Sequence, residues 1–64
     1  MPDHPSESYT DTVRLAYADL LVKVGKYGNS RAQEARGEVG REYVNRLRQD
    51  VIVAIEALVD AVKS

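Results

Sequence analysis

Residues 30–62, SRAQEARGEVGREYVNRLRQDVIVAIEALVDAV, decide the fold. Apolar or small residues fall at Gly37, Gly40, Val44, Leu47, Val51, Ala54, Leu58 and Ala61. Steps of three and four alternate along that row, which is the seam of a heptad helix. Tyr43, Ile55, Val59 and Val62 widen the apolar arc to roughly 160°. A two-stranded coiled coil needs less. An arc this wide suits a helix with two neighbours, as in a four-helix bundle. Ser30 followed by Gln33 is a capping-box pattern, and Lys63 complements the dipole at the other end. The stretch therefore predicts one long helix. Gly37 and Gly40 oppose this, since each costs about 1 kcal/mol inside a helix. The alternative is a break there, with a new helix starting near Gly40.

Upstream, Gly25-Lys26-Tyr27-Gly28-Asn29 carries the strongest turn signal, with Gly28 suited to a left-handed position. A first helix is expected from a cap at Ser8 or Thr10 to Val24 or Tyr27. Tyr9, Val13, Ala16, Tyr17, Leu20, Val24 and Tyr27 share one face of it. Leu15, Ala18 and Val22 lie nearly opposite, as if a second chain packed there. Residues 1–7 (MPDHPSE) read as a disordered leader, and residues 8–64 as the domain. The predicted fold class is all-α: an antiparallel helical hairpin, short helix first, assembling into a multi-chain helical bundle. A short first helix would reach only to about residue 49 of the long one. That would leave Val51 to Val62, the most apolar segment, uncovered. The expected oligomer interface is Leu15, Val22, Val51, Ala54, Ile55, Leu58, Val59 and Val62.

Composition points the same way. A chain of 64 residues has little core of its own and needs disulfides, a metal or partners. It has no cysteine, which excludes disulfides and thiolate metal sites. His4, its one histidine, sits in the expected leader. Partners remain, so a homo-oligomer is expected, dimer or tetramer, or docking on a larger protein. No apolar run reaches the roughly 18 residues of a membrane span. Nothing resembles a secretion signal, so a cytoplasmic location is expected. Membrane-surface binding by residues 51–62 is disfavoured, because Glu56 and Asp60 would be repelled by anionic lipid.

Chemistry-bearing residues are few. Arg31, Arg36, Arg41, Arg46 and Arg48 crowd the middle, against Glu34, Glu38, Glu42 and Asp50. Arginines five apart rotate by about 140° and do not build one basic face. Pairs such as Glu38–Arg41 and Glu42–Arg46 suit a solvated helix surface. Nucleic-acid contacts by the five arginines are the alternative, disfavoured by a net charge of −1. Glu34, Glu38 and Glu42 form an i, i+4 carboxylate ladder without the histidines of a metal site. No catalytic, cofactor-binding or metal-binding residue is expected. The tyrosines at 9, 17, 27 and 43 suit packing or an interface rim. The expected function is a non-enzymatic helical protein-interaction or oligomerisation module: a small adaptor, regulator or accessory subunit. The shape is similar to that of helical-hairpin dimers that form four-helix bundles, a likeness that carries no function.

Overall fold

A computed structural model describes residues 5–63, with side chains from Thr10 onward; within it the chain forms two helices and no strand. Helix α1 spans Pro5–Ala35 and helix α2 spans Arg41–Lys63. Proline at the first helical position is favoured, because its missing N–H is one that would go unpaired anyway. The leader expected over 5–7 is therefore helical, and α1 needs no cap at Ser8 or Thr10. His4 and the rest of 1–4, like the side chain of Tyr9, lie outside the described residues.

The turn falls at 36–40, the alternative position, and not at Gly25–Asn29. Gly37 has φ +77°, the left-handed conformation that ends helices. The Gly37 N–H donates to the Glu34 carbonyl, and the Glu38 N–H to the Gln33 carbonyl, both at 2.9 Å. Those two bonds form a Schellman motif and satisfy carbonyls the helix end leaves open. Gly40 starts α2, its carbonyl accepting from the Val44 N–H at 3.4 Å, and Glu42 lies in the first turn. Gly25 and Gly28 stay helical inside α1. Their propensity cost is about 2 kcal/mol together. It is offset by packing that continues past them, at Tyr27 and Ser30.

That packing also corrects the reading of Ser30 as a cap. Ser30 lies mid-helix with no exposed surface. Its hydroxyl donates to the Tyr27 carbonyl at 2.6 Å, so its polar group is satisfied inside its own helix. Buried or half-buried positions on α1 include Val13, Ala16, Leu20, Lys23, Tyr27, Ser30 and Glu34, with Gln33 beside them. On α2 they include Val44, Leu47, Val51, Ala54, Leu58 and Ala61. Both rows step by three and four, and the two helices are in contact. The α2 row is the expected heptad seam without its glycines. The α1 row admits Lys23, whose aliphatic stem covers apolar surface while the amine reaches water.

Helix lengths reverse the expected order. At about 1.5 Å per residue, α1 is roughly 46 Å long and α2 roughly 34 Å. The longer helix comes first and can cover all of α2. Ala54 is 3 % exposed and Ala61 6 % exposed without any second chain. The inference that 51–62 projects beyond its partner helix is therefore corrected: the early turn on which it rested does not exist.

The turn yields a prediction. Gly37→Ala places a Cβ in a left-handed conformation and should destabilise by about 1–2 kcal/mol. Gly25→Ala adds a methyl where nothing lies within 4 Å, and should stabilise by up to about 1 kcal/mol. Thermal unfolding of both variants checks this. A turn at 25–29 would make Gly37→Ala harmless.

Candidate interaction surface

The Cα trace measures 55 × 15 × 9 Å, a slab one helix thick. Most residues off the seam are exposed. Two observations tell its broad faces apart. On one, a cavity of about 420 Å³ opens between the helices, lined by Tyr27, Arg31 and Glu34 of α1 and Arg41, Val44, Asn45 and Arg48 of α2. On the other, Lys23 of α1 donates to Asp19 at 2.8 Å. That hydrogen bond raises the Lys23 amine above its ordinary pKa, with help from the charges of Asp19 and of Asp50 on α2.

Helical rotation of about 100° per residue assigns the remaining side chains. Tyr17 and Val24 of α1 lie on the cavity side of the seam. So do Ile52, Ile55, Val59 and Val62 of α2, which step by three and four in line with Arg48, Asn45 and Arg41. All six apolar side chains are exposed. The opposite face carries Asp19, Lys23, Lys26, Arg46 and Asp50, with Tyr43 and Val53 exposed on α2 and Leu15 and Val22 at its outer edge on α1. One face is therefore richer in apolar side chains, with a basic end, and the other carries more mixed charge.

The eight expected interface residues divide. Val51, Ala54 and Leu58 belong to the seam between the chain's own helices. Leu15, Val22, Ile55, Val59 and Val62 stay open, with Leu15 71 % exposed. Tyr17 and Val24, assigned from sequence to the inner face of the first helix, are also open. Sequence reading put Tyr17 and Val24 inside because it did not admit Lys23 and Ser30 to the seam. Steps of three and four from Val13 lead equally to Tyr17 and Val24 or to Lys23 and Ser30, so spacing alone does not choose between them.

The five arginines divide too. Arg31, Arg41 and Arg48 gather at the cavity. An Arg31 N–H donates to the Tyr27 hydroxyl at 3.3 Å, the main reason its pKa is raised, and its guanidinium carbon stands 5.9 Å over the Tyr27 ring. Arg41 stands 3.5 Å from Glu34. Arg36 is held away by Glu38, through bonds of 2.9 and 3.2 Å. Arg46 points to the charged face. The Gly37 turn also dissolves the carboxylate ladder: Glu34 pairs with Arg41, and Glu38 with Arg36. Among the described residues no group of three His, Asp or Glu could hold a metal ion. No described helix is long and apolar enough to cross a membrane.

No family model, curated protein or solved structure matches this chain. The surface itself must carry the functional reading.

The exposed ion pairs make a second prediction. The Arg36 and Glu38 side chains are 59 % and 51 % exposed, and Arg41 is 81 % exposed, so water screens both pairs. Arg36→Ala and Arg41→Ala should each shift stability by no more than about 0.5 kcal/mol. Chemical denaturation checks this; a loss above about 2 kcal/mol would mean that they anchor the turn.

Proposed function

We propose that the chain is an antiparallel helical hairpin and a non-enzymatic interaction module, which assembles with further copies into a helical bundle. As such it would serve as a small adaptor, regulator or accessory subunit. One observation carries this reading. Among the described residues only Val44, Ala54 and Ala61 are buried apolar side chains, whereas eleven large apolar side chains are exposed. A chain with more large apolar side chains exposed than buried gains by covering them.

The hairpin register supports the same reading. Position numbers across the two seams add to one constant in an antiparallel pairing. In such a pairing Ser30 would face Val44, Tyr27 Leu47, Lys23 Val51, Leu20 Ala54, Ala16 Leu58 and Val13 Ala61, all buried or half-buried positions. Large residues oppose small ones in several layers, which lets the helices approach closely but leaves little volume between them. Such a seam fixes direction and register. Little of its burial is available to stabilise the chain alone.

The gathering of Arg31, Arg41 and Arg48 favours a second reading, a nucleic-acid-binding dimer. It is the weaker one, because Arg36 is tied to Glu38 and Arg46 faces the other way. Three arginines beside Glu34 offer a small anion site and not a stripe along a duplex.

Sedimentation equilibrium tests the main reading. At micromolar concentration the mass should exceed the 7.1 kDa of one chain, in a whole-number multiple. A fully helical 7.1 kDa species would refute it. A shift on adding duplex DNA that vanishes with salt would favour the second reading.

A further inference from the structure

We infer that the cavity-side face, built on Tyr17, Val24, Ile55, Val59 and Val62, receives the same face of a second copy of this chain, the two slabs running in opposite directions. This rests on the self-association proposed above. It adds which face pairs, and in which orientation.

Area identifies the occupant. A compact monomer of 7.1 kDa exposes about 4,100 Å² by the usual mass scaling. This chain exposes 4818 Å², roughly 700 Å² more. A stable interface of standard size removes about 800 Å² from each partner. An excess of that order is comparable to what one face-to-face contact would remove. A second copy brings the same excess and the same need, so one two-fold contact relieves both. The product is two layers of two helices, a four-helix bundle.

The choice of face follows from side-chain placement. Ile55 and Val62 lie within about 70° of the seam direction on the cavity side, and Val59 within about 110°. Val24 and Tyr17 lie within about 90° on α1. These side chains point at a layer stacked on that face. Leu15 and Val22 sit beyond Asp19 and Lys23, whose ion pair would have to lose water for a layer to stack there.

Charge selects the orientation. The apolar patch occupies the half of the slab away from the turn, and Arg31, Arg41 and Arg48 occupy the half beside it. Running the slabs in the same direction would set three arginines over three arginines. Running them in opposite directions, with the patches overlapped, sets the two arginine groups at opposite ends of the contact, with apolar surface between.

Four glutamate variants, followed by sedimentation equilibrium and circular dichroism, test the inference. Ile55→Glu and Val59→Glu should each weaken self-association at least about tenfold, because a carboxylate is buried without a partner. Leu15→Glu and Val22→Glu should leave it unchanged. If the wild type associates and the Leu15 and Val22 variants are the ones that lose it, this face is wrong while self-association stands. A monomeric wild type overturns both. Should Ile55→Glu lose helix on its own, mixing it with Ile55→Lys decides. Recovery of helix and of dimer in the mixture supports the paired face, and no recovery overturns it.

Discussion

A slab one helix thick has no interior. Each helix of this chain can shield one stripe against the other, and the rest of its circumference meets solvent. That constraint explains why the most buried residues are Ser30, Val44, Ala54 and Ala61, which are small or medium in size. Small side chains bring two helix axes close together, and close axes leave little volume to fill. The larger residues, among them Leu15, Leu21, Ile52 and Ile55, are outside. Their surface is the feature that the proposed assembly answers.

The seam of α2 was legible in the sequence from Val44 to Ala61, because alternating steps of three and four are stringent over six positions. The turn was not. Four glycines come in two pairs, at 25 and 28 and at 37 and 40. Local propensity charges each pair about the same. What separates them is tertiary. Tyr27 and Ser30 find α2 beside them and hold α1 straight through the first pair. Nothing comparable spans Gly37, which is free to take its positive φ. Ser30 misled for a related reason. A serine before a glutamine reads as a cap, yet its hydroxyl can also return to a carbonyl of its own helix, and here it does.

One misplaced turn propagated. It made the first helix short, left 51–62 uncovered on paper, and assigned Val51, Ala54 and Leu58 to another chain. The structure returns those three to the chain's own seam and leaves Ile55, Val59 and Val62 open beside it. The expectation of a partner survives as a proposal on different ground: exposed apolar side chains on one face, in place of an overhanging helix end. Arginines five apart along one helix do not make one basic face. Folding still brings Arg31, Arg41 and Arg48 together across the turn, which no spacing rule along a single helix could have found.

The central claim is that folding and self-association are coupled, because a single slab buries too little apolar surface to stand alone. Coupling of that kind makes the unfolding midpoint depend on protein concentration. The direct measurement is thermal unfolding by circular dichroism across a hundredfold range of concentration. The account predicts a midpoint that rises steadily with concentration, and loss of helix at the dilute end. A sharp transition at one temperature throughout would contradict it, and would mean that two helices and one narrow seam suffice.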